Sequence, residues 1–250
     1  MTQFNHDAVL PDVQSGMTKK EQVAYMFNCI AGKYDFFNRF LSGGIDIGWR
    51  KKAINQLKDK ELNHVLDVAT GTADVAIMTM KMLHPKKITG IDISEGMLQL
   101  GKEKVKAAGF EGKIDLQMGD SEALKFADNT FSGITVAFGV RNFENLVKGL
   151  TEMHRVLQPG ATLVVLEFSK PSKTWFKGLY NFYMKLVAPG FVQALSKHKK
   201  AYQYLNNSVQ AFPEGVHFLK IMHEAGFTQT NLKTLSLGIC TIYTGQKPVA

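Results

Sequence analysis

The chain has 250 residues, 45% of them hydrophobic and 21% charged, which is the composition of an ordinary globular protein with one large domain or two small ones. This composition excludes a disordered chain, a collagen-like repeat and a small disulfide-stapled fold. The net charge of +8 comes almost entirely from one segment, because seven lysines and no acidic residue lie between Glu167 and Glu214. The start of the chain has no apolar signal segment, and no stretch approaches the ~18 apolar residues of a membrane-spanning helix. Cys29 and Cys240 lie far apart, so we expect a cytoplasmic protein with two buried, reduced thiols.

Residues 18–57 have a helical pattern. Apolar residues recur there at helical spacing, and Ser42-Gly43-Gly44 divides the run into two helices. We expect residues 1–57 to form a helical lid and residues 58–250 to form the main domain.

Short β-rich runs and helical segments alternate over the next hundred residues. Strands are predicted at 64–68, 87–93, 114–118, 134–138 and 162–168, and helices at 74–83, 94–108 with Ser94 as N-cap, and 144–157. Such alternation requires a parallel sheet with helices on both faces.

The last third of the chain interrupts this pattern and then resumes it. A basic, aromatic stretch at about 172–212 is interpreted as an insertion after the fifth strand. A helix at 216–225 and two strands at 227–235 and 239–245 follow, and the two strands are close enough to form a hairpin. The predicted fold is therefore a doubly wound α/β domain, whose mostly parallel seven-stranded sheet contains one inserted antiparallel strand.

The first two strands end in residues that suit an adenosine-containing cofactor. A turn of small residues at Gly71 exposes backbone N–H groups at the start of a helix. Asp92 ends the second strand, where a carboxylate can accept both hydroxyls of a ribose. Asp120 and Ser121 follow the third strand, and we expect them to meet the adenine amino group.

The loop after the first strand distinguishes between cofactors. A dinucleotide requires G-x-G-x-x-G, but only Gly71 stands in the expected places. Asp67 and Asp74 bracket the loop, where they would repel a diphosphate and suit the ammonium and sulfonium charges of S-adenosylmethionine. The sequence thus favours S-adenosylmethionine over NAD.

Three stretches carry a resemblance to a known family. They are residues 34–44 with Trp49-Arg50, residues 138–142, and residues 155–160 leading into 166–171. They resemble the ubiquinone/menaquinone biosynthesis C-methyltransferases, which are class I S-adenosylmethionine-dependent methyltransferases, and the resemblance extends over about residues 18–245. Ala69 and Ala73 depart from it, since the family often has glycine there.

The resemblance implies methyl transfer to a ring carbon of a polyprenylated quinol. It carries over Thr72, Asp92, Asp120 and Ser121 as cofactor contacts. The most favoured reaction is demethylmenaquinol to menaquinol, and the methylation of a ubiquinone precursor stays open as the alternative.

Such methyl transfer requires a group that stabilises the phenolate form of the ring. It requires no metal. Arg141, in the loop after the fourth strand, is the candidate for stabilising that oxyanion, and a salt bridge is its other interpretation. Tyr34, Asp46 and Arg50 are polar residues of the lid that we expect to face the quinol head group.

The basic segment has two competing interpretations. Lysines interleaved with aromatic side chains at 173–200 suit peripheral docking on an anionic membrane, and a lysine-covered lid is the competing interpretation. A nucleic-acid methyltransferase is disfavoured because no Asn-Pro-Pro-aromatic motif follows the fourth strand. The sequence leaves the oligomeric state open.

Overall fold

The computed structural model describes residue 6 and residues 8–171 and 199–249. Within these ranges the strands are β1 (His64–Val68), β2 (Lys87–Asp92), β3 (Ile114–Met118), β4 (Phe131–Ala137), β5 (Leu157–Phe168), β6 (Thr228–Leu235) and β7 (Cys240–Gln246). The α-helices are α1 (Lys19–Leu41), α2 (Ile45–Ile54), α3 (Asp74–Leu83), α4 (Glu95–Ala107), α5 (Leu146–Val156), α6 (Lys199–Ala211) and α7 (Val216–Glu224).

The described strands form one sheet in the order β3-β2-β1-β4-β5-β7-β6. The neighbours from β3 to β5 pair in parallel, whereas β7 lies antiparallel between β5 and β6. The predicted seven-stranded, mostly parallel sheet with one inserted antiparallel strand is confirmed.

The central strands are buried because helices cover both faces of the sheet. Val65, Leu66 and Val68 of β1 are each at most 1% exposed, and they belong to two core clusters on opposite faces of the sheet. This continuous apolar run is typical of a parallel strand, and it fixes where the polar strand ends emerge.

Local sequence sets the helix boundaries near these strand ends. Gly43 and Gly44 adopt φ of +58° and +78° and separate α1 from α2, as predicted. Ser94 caps α4, because its Oγ accepts the backbone N–H of Met97 at 3.3 Å.

Two local expectations were wrong. The fifth strand begins at Leu157, before the predicted turn, because Leu157 pairs with Phe131 and the chain at Gly160 bulges and donates its N–H to the carbonyl of Lys247. Cys29 is exposed on the solvent side of α1, whereas Cys240 is buried as expected. None of the described helices is both long and apolar enough to cross a membrane.

Candidate active site

A cleft of about 690 Å³, including its open mouth, lies at the carboxyl ends of β1 to β4. In an open parallel sheet this is the edge at which ligands bind, beside the reversal of strand order. From the strand ends the cleft is lined by Val68, Ala69, Gly71, Ile91, Asp92, Ile93, Gly119, Asp120, Ser121, Ala137, Phe138 and Gly139, and from α1 by Lys20, Val23 and Phe27.

The loop after β1 has an unusual backbone. Ala69, Gly71 and Ala73 adopt φ of +53°, +55° and +64°, in the left-handed region. Glycine adopts that region without strain, whereas each of the two alanines does so at a cost of about 1–2 kcal/mol. The resulting turn presents the Gly71 N–H to the end of β2.

Asp92 receives that N–H. Its Oδ2 accepts the Gly71 N–H at 2.8 Å, and its Oδ1 accepts the Ser94 N–H at 2.9 Å. Burial raises the pKa of Asp92, while these backbone donors act in the opposite direction. Gly71 and Asp92 therefore lie together in the cleft wall, in the arrangement that the sequence predicts.

Asp120 and Ser121 line the neighbouring part of the cleft. Asp120 Oδ2 accepts a hydrogen bond from Lys20 Nζ on α1 at 2.6 Å. Burial lowers the pKa of Lys20, but the hydrogen bond from Lys20 to Asp120 and the charge of Glu122 outweigh it and leave that pKa raised. The charge of Asp120 is thus partly neutralised by the helix that covers it.

Asp67 lies beneath the cleft and is not among its lining residues. The side chain is 1% exposed, and its two oxygens accept hydroxyl groups of Thr70 and Thr135, each at 2.6 Å. Burial raises the pKa of Asp67 to about 6, and the two hydroxyls oppose that shift. The structure shows that Asp67 supports the loop through Thr70. Direct contact between Asp67 and the cofactor stays a prediction.

Thr72 and Asp74 belong to a cluster that ties the loop to the surrounding helices. The Thr72 hydroxyl donates to Asp35 of α1 at 2.7 Å and accepts from Lys104 of α4 at 3.0 Å. Lys104 also pairs with Asp74, as do Arg39 at 3.8 Å and Arg50 at 3.4 Å. Asp74 is therefore matched by protein cations, so the sequence-based charge argument for a sulfonium ligand is not supported at this residue.

Arg141 does not line the cleft. Its Nη1 pairs with Oε1 of Glu167 at 2.5 Å and donates to the carbonyl of Phe138 at 2.7 Å. The two side chains are 4% and 0% exposed. The pair is the salt bridge that the sequence left open as the second interpretation, although it is buried and not at the surface.

The polar residues of α2 face inward. Asp46 and Arg50 are 3% and 8% exposed and pair with each other at 3.4 Å. The Arg50 guanidinium lies 5.7 Å from the centre of the Phe138 ring and lines a second, smaller cavity that shares Ala137 with the cleft. Tyr34 lies on α1, and its side chain is outside the described part of the structure.

Three polar residues at the site are not predicted from the sequence. Asn28 of α1 accepts the Ser94 hydroxyl at 2.8 Å and the Gly96 N–H at 2.9 Å. Glu122 is buried and accepts the backbone N–H groups of Glu144 and Asn145, each at 2.9 Å. Asn142 lines the cleft with a buried Oδ1 that has no hydrogen-bond partner among the described residues. Asn142 belongs to the stretch 138–142 that carries the family resemblance, which is the signal that could have marked it.

Comparison with known proteins identifies the family. The model of the ubiE/COQ5 methyltransferase family matches residues 15–247. The chain belongs to this family.

Curated relatives cover nearly the whole chain. A demethylmenaquinone methyltransferase of Bacteroides fragilis is 48% identical over 92% of this chain and 94% of the relative. The ubiquinone/menaquinone biosynthesis C-methyltransferase UbiE of Geotalea daltonii is 46% identical over 92% of this chain and 97% of the relative. The family resemblance expected from the three sequence stretches is confirmed.

Solved structures agree on the fold. A SAM-dependent methyltransferase of Thermotoga maritima, described as a possible histamine N-methyltransferase, superposes with a TM-score of 0.64 at 16% identity, over 90% of this chain and 99% of that one. A methyltransferase of Haloferax volcanii in complex with the activator Trm112 gives a TM-score of 0.65 at 14% identity, over 89% and 98% of the two chains. Family and fold together confirm an S-adenosylmethionine-dependent methyltransferase.

The chemistry of the cleft fits S-adenosylmethionine. A carboxylate at Asp92, a second at Asp120 and apolar side chains at Ile93 and Met97 suit a ribose and an adenine. The unpartnered Oδ1 of Asn142, which also lines the cleft, suits an ammonium or another donor. Among the described residues no group of three or more His, Cys, Asp or Glu is placed to hold a metal.

Proposed function

We propose that this chain transfers the methyl group of S-adenosylmethionine to a ring carbon of demethylmenaquinol. The proposal rests on the row of strand ends along the cleft. Curated relatives of the chain are named demethylmenaquinone methyltransferases. Asp120, Asp92 and Gly71 follow β3, β2 and β1, and Phe138 follows β4. Three strand spacings separate β3 from β4, which is about 14 Å.

The row gives the cofactor a direction. The adenine lies at Asp120 and Ser121 between Ile93 and Met97, and the ribose hydroxyls lie at Asp92. The rest of the cofactor then extends past Gly71 toward β4. This order leaves the part of the cleft beside Ala137 and Phe138 for the acceptor ring.

When bound, the cofactor supplies an electrophilic sulfonium methyl group. The chain's own contribution is to hold the ring in line with that group and to keep water away. Val68, Phe138 and Phe143 form an apolar wall for this purpose. Arg50, the buried cation of α2, lies 5.7 Å from the Phe138 ring, so it is the candidate for favouring the phenolate in place of Arg141, which pairs with Glu167.

Residues 1–57 act as a lid in this proposal. α1 contacts every cofactor loop, through Lys20 to Asp120, Asn28 to Gly96 and Asp35 to Thr72. α2 adds Arg50 at Asp74. Because these contacts converge on the loops, cofactor binding and docking of the lid are expected to stabilise each other.

We also propose that residues 173–200 dock on an anionic membrane, where a polyprenyl quinol resides. The support is the composition of this segment, most of which lies outside the described residues. Lys200 is 72% exposed and pairs with Asp12 at 2.7 Å. Co-sedimentation with anionic vesicles, weakened by salt and by glutamine at Lys197, Lys199 and Lys200, is the expected result. Equal, negligible binding to anionic and neutral vesicles would leave only a lid.

The acceptor is tested by complementation. A bacterial strain that lacks its own quinone C-methyltransferase accumulates the unmethylated precursors, which are extracted and identified by mass spectrometry. Expression of this chain is expected to restore menaquinone. Restoration of ubiquinone alone would assign the alternative acceptor, and restoration of neither would contradict the proposal. The Asp92→Ala variant, which is expected to bind the cofactor more weakly, serves as the control.

A further inference from the structure

The turn after β4 has a backbone conformation that needs support. Phe138 adopts a φ of +59°, which a bulky side chain rarely takes. The next residue is Gly139, where an added Cβ would lie 2.6 Å from the Cβ of Ala69. Both residues line the cleft. The chain is therefore held against its local preference beside the place assigned to the acceptor ring.

Hydrogen bonds converge on Phe138. Its carbonyl accepts Nη1 of Arg141 at 2.7 Å and Nδ2 of Asn142 at 3.4 Å. Its N–H donates to the carbonyl of Leu166 at 2.7 Å. Its ring stacks on Phe168, with the ring centres 4.5 Å apart. These contacts fix both the backbone and the ring.

Glu167 in turn fixes Arg141. Its Oε1 accepts Arg141 Nη1 at 2.5 Å and the Phe168 N–H at 2.8 Å, and its Oε2 accepts the Arg141 N–H at 3.4 Å. The Arg141 guanidinium lies 5.3 Å from the centre of the Phe168 ring. Glu167 is fully buried, so its charge requires this partner.

We propose that Glu167 is a positioning residue: through Arg141 it holds the left-handed turn at Phe138 and so sets the cleft wall against which the acceptor ring lies. The inference rests on the proposed function, because that function places the ring there. In this role Arg141 acts on a backbone carbonyl and not on the phenolate. Loss of either partner of the pair therefore has the same consequence.

The test compares four variants in one methyl-transfer assay with reduced demethylmenaquinone. Arg141→Gln, Glu167→Gln and the double variant are each expected to lower kcat/KM on the order of 10²-fold, since misplacement of about 1 Å costs that much. The double variant is no worse than the singles, because the two residues act as one unit. Arg141→Lys is expected to lose nearly as much, since a lysine lacks the planar guanidinium that lies over the Phe168 ring while its Nη1 meets both acceptors. Affinity for S-adenosylhomocysteine, measured by calorimetry, stays nearly unchanged.

A matched control separates this role from loss of stability. Arg155 also joins a carboxylate, Glu152 at 2.8 Å, to backbone carbonyls, but these belong to Leu124 and Phe126, which do not line the cleft, whereas Phe138 does. Arg155→Gln is expected to lower the Tm and leave kcat and KM unchanged.

Two results would overturn the proposal. One is full activity of Glu167→Gln or Arg141→Lys beside an inactive Arg141→Gln, which would place Arg141 on the substrate. The other is hydrogen exchange of residues 137–143 that is as slow in these variants as in the parent chain. Hydrogen exchange needs no acceptor substrate, so it tests the Arg141–Glu167 pair even if the parent chain does not methylate the quinol. That failure would contradict the proposed function and not the role of the pair. Arg141→Lys keeps the buried charge and serves if the glutamine variants do not fold.

Discussion

Asp92 Oδ2 accepts the backbone N–H of Gly71 at 2.8 Å, which joins the end of β2 to the loop after β1. The carboxylate fixes the loop, and in the proposed function it also binds the ribose. Loss of a charge-assisted contact to the ribose is expected to cost about 2–3 kcal/mol, or roughly 30- to 150-fold in affinity. Calorimetry of Asp92→Ala with S-adenosylmethionine measures it. Asp115→Ala, an exposed carboxylate on β3, is the control, and equal affinities of the two variants would remove Asp92 from the cofactor site.

Asp67 is expected to make stability depend on pH. Its pKa is about 6 in the folded chain against 3.8 unfolded, because burial disfavours the carboxylate. The folded state then holds a proton that the unfolded state has lost, so the free energy of unfolding falls as the pH rises from about 4 to 6. Nearby Arg50 opposes this shift and Asp92 adds to it.

The neutral isostere Asp67→Asn removes that dependence and can retain both threonine contacts. Relative to the parent, its free energy of unfolding is expected to rise by about 2–3 kcal/mol between pH 4 and pH 7. Urea denaturation at each pH measures the difference. A difference that is constant with pH would show that Asp67 does not titrate in this range.

Ala69 is expected to become more stable as glycine. Its φ of +53° strains an alanine and not a glycine, so Ala69→Gly gains about 0.5–1 kcal/mol after the entropic cost of glycine. The same change at Ala107, exposed in α4, is expected to lose up to about 1 kcal/mol. Thermal denaturation compares them, and a destabilised Ala69→Gly would mean that packing of the methyl group outweighs the strain.

Asn28 is expected to control docking of α1. Asn28→Ala removes the acceptor for Ser94 and Gly96, at about 0.5–1.5 kcal/mol of stability. Amides of α1 are then expected to exchange faster, and S-adenosylmethionine is expected to slow that exchange in the parent chain. Asn207→Ala on α6, also exposed, is the control. Exchange in α1 that is unaffected by both the cofactor and Asn28→Ala would rule out a coupled lid.

The fold was predictable because its signals are local. Strand–helix alternation gave the parallel sheet, Ser94 gave the start of α4, and spacing placed Asp92 beside Gly71. Side-chain partners were not predictable where they are distant in sequence. Asp67 meets Thr135, 68 residues away, and Arg141 meets Glu167, 26 residues away. Only the packing of β1, β4 and β5 brings each of these side chains to its partner.

Methyl transfer to the quinol ring is measured by the product of one reaction. Purified chain is incubated with S-adenosylmethionine carrying a ¹³C methyl group and with reduced, short-tailed demethylmenaquinone, and the quinone is analysed by mass spectrometry and NMR. The predicted result is one labelled methyl group on a ring carbon, formed more slowly with Asp92→Ala at limiting cofactor. A labelled oxygen methyl ether, or no labelled quinone from a chain that binds S-adenosylhomocysteine, would contradict the proposed function.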